Sequence, residues 1–495
     1  MQKDYLVKTI IAITLFLLTI FICMQSSFAP SGSYLANPDS AIYKQIGFSI
    51  SNGQIPYKDT YDNKGPIFYY LVALGEIIDG TYGIFIVECI LMFVATIFCY
   101  KTAKLFTNPI IAICSTIIVF SGLNEIFWHG NMTEEYVLPF TFIAMYFFIK
   151  YLLNKEVRPI NIILIGMCFA TTILIRANLI AIYIGFIIVI FIEMLLKKQI
   201  KELFKAMGCF IIGVIIIFIP MILYLYCNNA LAECIKQVYI GPSSYFNESE
   251  IIEKIKLLHS LLSNLSNFGY IFIVFYIFYV GYLYFNNKNN KFKLIHLSMV
   301  LSLIVNMYLA TMSNANFSHY TMSFIPLLII PTLTILDLIS VNFKNIDNIV
   351  TIMFLTILIS WNSINMCINN IFDNVIGKYD QSFYEEINRL TEKTDKIYIF
   401  DGYTQMYHTK RLSASKYLYL PIIYNIPTEE KIEALDELLE DLKINMPKII
   451  LISDESYENY TNLSYYNFEK YLEFFEQNYD VKEKIFQYNL YVLKD

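Results

Sequence analysis

Apolar residues in this chain come in about eleven runs, most of them close to the ~20 residues that a helix needs to cross a bilayer's roughly 30 Å hydrocarbon core. Candidate spans lie at about 8–27, 82–104, 108–123, 134–152, 159–176, 179–196, 207–227, 267–285, 294–312, 320–340 and 348–368. A backbone inside lipid must satisfy its own hydrogen bonds, so such runs fold as helices. Charged residues make up only 16% of the chain and hydrophobic ones 56%, well away from a soluble protein's balance. The expected fold class is a polytopic α-helical membrane protein with a C-terminal extracytoplasmic α/β domain. The first run, Ile10 to Cys23, ends near Ser27-Phe28-Ala29 like a signal peptide, but it fits as the first of many spans. The apolar stretch Pro66 to Ile78 is too short to cross and reads as an interfacial or re-entrant helix.

Basic residues set the expected orientation. Lys101, Lys104, Lys150, Lys155, Arg158, Lys197, Lys198, Lys201, Lys205, Lys288, Lys291, Lys293 and Lys344 all fall in alternate connections, whereas the loops around 124–132 and 313–319 hold no Lys or Arg. The N-terminus is therefore expected inside and the tail outside. Three long segments face outward on this reading: the first loop, 29–80, the loop 228–266, and the tail. The domain boundary is placed near 370, giving a membrane domain at 1–370 and an extracytoplasmic domain at 371–495. In the tail, 396–400, 448–452 and 490–493 have the β-branched, apolar look of buried strands, with helical periodicity at 428–442 and 468–479 and Thr428 as an N-cap.

The net charge of −6 and the lack of a basic stripe exclude nucleic acid as a partner. The nine Cys include no CxxC, so no zinc knuckle or redox pair is indicated. Cys227 and Cys234 are placed to pair outside, but buried thiols acting as small apolar residues are the simpler reading.

Residues suited to chemistry gather in the outward loops. Asp39 follows the first span near the point where the chain re-enters the headgroup layer, where partial desolvation raises a carboxylate's basicity and suits it to act as a general base. Lys64 precedes Gly65-Pro66 and an apolar run, a depth at which a cation meets a lipid phosphate. Asp59 and Asp62 lie in the same loop, where solvating it is reason enough for them. Glu134 and Glu135 open the fourth span, a position that the helix dipole favours by itself. Arg176 ends the fifth span beside Asn178. Snorkelling explains it, and so does a lipid phosphate on the side of Asp39. His319 and Tyr320 open the tenth span, where Tyr320 also fits an aromatic belt. Glu88 lies within the second span, away from its ends. Tyr239 and Tyr245 flank Gly241-Pro242 and are shaped to stack on a sugar, though the chain has 40 Tyr.

The first loop resembles that of the GT-C superfamily of integral-membrane glycosyltransferases, in the branch of protein mannosyltransferases and lipid A aminoarabinose transferases. Asp39 matches that pattern's first acid, Tyr43 its aromatic, and Lys64, Pro66, Ile67 and Tyr69 its later run. Ser40 stands where the second acid would be and Gly65 where the first Pro would be. The resemblance covers roughly residues 1–370. It implies an inverting transfer of a sugar from a polyprenyl-phosphate donor to a hydroxyl of a glycan, lipid or protein of the cell envelope, at the outer face of the plasma membrane. Asp39 would be the base, Lys64 and Arg176 the phosphate ligands, and Glu134 or Glu135 the second acid, orienting the acceptor. Tyr43, Asp62, His319 and Tyr320 would line the pocket. No cofactor is required, and a divalent cation (Mg²⁺ or Mn²⁺) on Asp39 and Glu134 is an option. A polysaccharide polymerase or ligase fits the same topology, as does a flippase of lipid-linked sugars, although a transporter calls for ionisable groups or broken helices at mid-membrane.

Overall fold

A computed structural model describes residues 2–30, 38–123, 126–127, 129–154, 158–242, 251–265, 267–286, 290–313, 315–342, 347–376, 381–420 and 426–494. Lys155, Tyr245, Lys288 and Lys344 lie outside the described residues. The chain divides into two compact units: Met1–Gly32, Ile84–Leu223 and Asn247–Ile376 form the first, and Ser33–Gly83, Tyr224–Phe246 and Gly377–Asp495 the second.

In chain order the helices up to residue 227 are α1 (Gln2–Cys23), α2 (Pro38–Ser51), α3 (Pro66–Ile78), α4 (Gly83–Lys104), α5 (Pro109–Ser121), α6 (Thr133–Asn154), α7 (Pro159–Ile175), α8 (Ala181–Leu196) and α9 (Ile200–Cys227). Among its described residues the first unit has helices and turns but no strand, and each of the eleven expected spans is largely helical. By length and apolar composition seven of these helices qualify as spans, or eight if Ile251–Asn264 and Phe268–Leu283, bent by 118°, count as one. The expected number was about eleven. With the bent pair counted as one span, the remaining three are α5, α7 and α8, which are apolar but only 13, 17 and 16 residues long. Prolines set the start of two of them. Pro109 follows Asn108, whose side chain accepts from the amides of Ile110 and Ile111, and Pro159 opens α7. At 1.5 Å per residue, α5 reaches about 20 Å.

The outward faces of these helices are apolar. Along α9, Ile211, Ile215, Ile219 and Ile222 form an exposed stripe at helical spacing, with Ile212, Ile216 and Leu223 beside it. Apolar surface on that scale suits acyl chains and not water. All nine cysteines are free thiols.

The second unit contains α2, α3 and the sheet of the tail. α2 and α3 pack closely because Gly47 has no side chain: a Cβ there would stand 2.7 Å from Val72 Cγ1. Tyr43 meets Phe68 edge-on across this contact, ring centroids 4.9 Å apart. The sheet has strands β1 (Lys396–Ile399), β2 (Leu412–Ser413), β3 (Ile449–Ser453), β4 (Tyr479–Ile485) and β5 (Tyr488–Leu493) in the order β2-β1-β3-β5-β4. β2, β1 and β3 are parallel, and the β4–β5 hairpin adds antiparallel to β3. β3 is buried along its whole length, as its unbroken apolar sequence requires. Helix Thr428–Asn445 crosses over from β1's side of the sheet and buries Leu435, Leu438, Leu439 and Leu442, a 3–4 spacing, against Tyr398, Ile450 and Ile452. Its cap differs from expectation. Pro427 takes the N-cap position without a side-chain hydrogen bond, and Thr428 is the first helical residue.

Candidate functional site

Two groups of polar residues stand out, one in each unit. In the second unit the group is built on α2 and the loop that leads into α3. Asp39 lies in the first turn of α2, half-buried, and Tyr43 sits one turn further on the same face. The Lys64 ammonium lies over the Tyr43 ring, 5.5 Å from its centroid, and also donates to Asn63 Oδ1. Lys64 thus meets Tyr43, and Asp39 stands one helical turn before Tyr43 on α2.

The loop that carries Lys64 is bonded at nearly every residue. Tyr57 adopts a left-handed φ of 70° and donates its hydroxyl to the Lys64 carbonyl at 2.7 Å, while the Lys64 amide donates to Tyr69 Oη at 3.3 Å. Asp62 is buried, and both its carboxylate oxygens accept from phenols: Tyr69 on one side, Tyr419 at 2.7 Å on the other. Burial, then the adjacent Asp62 carboxylate, holds the Tyr69 phenol well above the usual range, so it stays a donor. The Asp62 amide donates to Gln237 Oε1 at 3.3 Å, and Gln237 Nε2 donates to the Tyr57 carbonyl at 2.9 Å. Asp59 closes its own turn by accepting from the Ile55 amide at 2.7 Å.

In the first unit the group forms where α6 starts and α7 ends. Arg176 caps the C-terminus of α7, leaving the helix in an extended conformation. Its Nη1 donates to Glu134 Oε1 at 2.5 Å and to Thr133 Oγ1 at 3.0 Å, and its Nε donates to Asn178 Oδ1 at 3.2 Å. Thr133 in turn donates to Glu134 Oε2 at 2.8 Å. The guanidinium stacks on Tyr320, 4.6 Å from the ring centroid, and His319 meets Tyr320 edge-on at 4.9 Å. A small pocket opens here, lined by Glu134, Asn178, Asn306, Tyr320 and Ser323 among others. Four residues singled out from the sequence, Glu134, Arg176, His319 and Tyr320, therefore meet. Glu135 does not join them. One residue on, and so about 100° round the helix, it buries near Glu88 and Cys89.

Glu88 carries a role that its sequence position does not reveal. Fully buried, it accepts from the Asn131 amide at 2.6 Å and so shapes the turn that feeds α6. That turn needs Gly130, whose φ is +78° and whose missing Cβ would stand 2.5 Å from Glu88 Oε1 and 2.7 Å from Ser26 Oγ. Gly130→Ala combines a left-handed strain of about 1–3 kcal/mol with that clash, so its melting temperature in detergent is expected to fall by several degrees. An unchanged melting temperature would show that the turn yields freely.

A larger cavity lies elsewhere, at the opposite ends of α6 and α7. Its volume is about 320 Å³, and it is lined mainly by apolar residues such as Phe147, Ile162, Phe191 and Phe210, with Lys150 and Arg158 among them. Its size does not make it the reactive centre, because its lining offers no acid or base pair for transfer. Among the described residues, no three His, Cys, Asp or Glu side chains gather as metal ligands would.

Residues 2–349 match the profile of a family described as "Putative competence-induced protein Ccs4 N-terminal domain". No curated protein matches the chain by sequence. Among solved structures, ArnT from Cupriavidus metallidurans bound to undecaprenyl phosphate aligns with a TM-score of 0.64 at 11% identity, over 98% of this chain and 97% of that one. The Archaeoglobus fulgidus oligosaccharyltransferase in complex with Zn and sulfate aligns with a TM-score of 0.53 at 10% identity, over 89% and 68%. From the same organism, the oligosaccharyltransferase AglB in complex with an inhibitory peptide and a dolichol-phosphate gives 0.50 at 10%, over 98% and 74%. At these identities the likeness is one of fold. The chain shares the fold of these structures, a polytopic helical membrane body with a C-terminal α/β domain, in line with the resemblance of its first loop.

Proposed function

The chain belongs to the competence-induced Ccs4 N-terminal domain family, and from its fold and the residues of its first loop we propose that it is a membrane glycosyltransferase. It takes a sugar from a polyprenyl-phosphate donor and passes it to an acceptor hydroxyl, with inversion, at the outer face of the plasma membrane. The observation that carries this reading is Lys64 held over Tyr43 with Asp39 one turn before it on α2, in a chain whose fold matches ArnT along nearly its full length. ArnT was solved with undecaprenyl phosphate, and we carry that ligand class over.

In the proposed step the acceptor oxygen attacks the anomeric carbon in line, on the face opposite the phosphate. The acceptor O–H proton passes to the Asp39 carboxylate. The new C–O bond forms as the bond from the anomeric carbon to the phosphate oxygen breaks, and polyprenyl phosphate departs with the electron pair. Lys64 faces the departing phosphate, and a fixed cation there stabilises the growing charge more in the transition state than in the ground state. Tyr43 holds the ammonium by its ring face. In the other unit, Arg176 is assigned to phosphate recognition, Glu134 to orienting the acceptor, and His319 and Tyr320 to lining the pocket.

The test is transfer of radiolabelled sugar from synthetic undecaprenyl-phosphate hexoses to cell-envelope fractions by protein in proteoliposomes. Label appearing in a polymer, lipid or protein product supports the reading. Label that crosses the vesicle bilayer while remaining on its lipid would make the protein a flippase and overturn it.

A further inference from the structure

We propose that Asp62 is a positioning residue, through which the C-terminal domain sets the place of Lys64. The inference rests on the phosphate-binding role given to Lys64 above.

The route is continuous within the second unit. Helix Thr428–Asn445 holds the segment 415–419: Ser415 donates to Asp441 at 2.6 Å, and Lys416 and Tyr417 both bond Glu437, at 2.5 and 2.7 Å. That segment then grips the first loop at two consecutive residues. The Tyr61 amide donates to the Lys416 carbonyl at 2.9 Å, its ring lying 5.1 Å from Tyr417 and 6.0 Å from Tyr419. Next, Tyr419 donates to Asp62 Oδ1 while Tyr69 of α3 donates to Oδ2. Lys64 is two residues further on. A buried carboxylate is costly unless each oxygen finds a donor, so Asp62 ties the loop to the one arrangement in which both phenols reach it. A flexible lysine on a free loop would lose much of its advantage as a phosphate ligand, because the ordering would have to be met on binding.

The tail grips the other half of the loop as well. Gln45 of α2 donates to the Arg411 carbonyl at 2.9 Å, and the ammonium of Lys44, paired with Glu76 at 3.2 Å, lies 4.5 Å over the Tyr407 ring. The C-terminal domain is thereby part of the frame that carries Asp39, Tyr43 and Lys64.

The experiment compares Tyr419→Phe, Asp62→Asn and their double variant with wild type, full-length in detergent. Binding of undecaprenyl phosphate is measured directly, together with hydrogen exchange across 56–66 and the melting temperature. Tyr419→Phe keeps the ring but leaves Asp62 Oδ1 without that donor, so it is expected to fold with its melting temperature lowered by a few degrees, exchange faster across 56–66 and bind about tenfold more weakly. The double variant should bind no worse than Asp62→Asn alone, because the two side chains act as one unit. Faster exchange with unaltered binding would overturn the link from clamp to phosphate. Unaltered exchange would overturn the clamp itself. Should wild type bind undecaprenyl phosphate yet transfer no sugar, the glycosyltransferase reading fails while this inference stands.

Discussion

Replacing Asp39 by Asn is expected to cut sugar transfer at least ~100-fold while the protein folds normally and still binds its donor, because a positioned general base contributes about 10²–10⁴. A hundredfold is about 2.7 kcal/mol of barrier. Stability offers no competing explanation of that size. Asp39 stands half-buried in the first turn of α2, where a carboxylate's interaction with the helix dipole amounts to roughly 0.3–1 kcal/mol. Asn keeps the shape of the side chain and suits the same helix start. The loss should therefore fall on kcat, with the Kd for undecaprenyl phosphate within about twofold of wild type, the pattern of an interaction made only in the transition state. Initial rates of label transfer and direct lipid binding, measured on the same preparation, check both halves. Transfer at a near wild-type rate would remove Asp39 as the base.

Local signals made the membrane body and much of the tail legible in the sequence. Runs of about 20 apolar residues dictate helices in lipid, and the unbroken apolar run at β3 dictates a central strand. The group around Arg176 was legible in part, since Glu134, Arg176 and Tyr320 each sit at a span end on what the lysine pattern marks as one side. Pairings over long separations left no such trace. Asp62 and Tyr419 are 357 residues apart, and with 40 Tyr in the chain nothing marks Tyr419 as special. Glu88 was visible only as an acid away from the ends of the second span, and its bond to the Asn131 amide had no sequence signal. β4 escaped notice because it is an edge strand studded with Asp480, Lys482 and Lys484, the charges that keep such an edge from pairing further. β2, at two residues, is too short to leave a pattern. Against about eleven expected spans, seven helices, or eight with the bent pair, pass by length and apolar composition, and α5, α7 and α8 fall short on length alone.

Arg176→Ala is expected to cost about 3–5 kcal/mol of stability, the range for a buried ion pair that loses one partner. The Glu134 side chain is 1% exposed and that of Arg176 15%, so water cannot take over the carboxylate when the guanidinium goes. Only the Thr133 hydroxyl and a backbone amide are shown still bonding it. The contrast is with exposed pairs of the tail such as Lys443–Glu440, whose side chains are 45% and 63% exposed and whose loss should stay within ~1 kcal/mol. Adding Glu134→Gln to Arg176→Ala removes the stranded charge and should restore a large part of the loss, as measured by thermal unfolding in detergent. If the double variant is no more stable than Arg176→Ala, the lost stability came from packing of the arginine stem on Tyr320 and not from charge. The restored double variant also separates structure from chemistry. A folded protein that still binds undecaprenyl phosphate with wild-type affinity would leave the pair a purely structural strut between α6 and α7, whereas a folded protein with weakened binding would keep Arg176 as a ligand for phosphate.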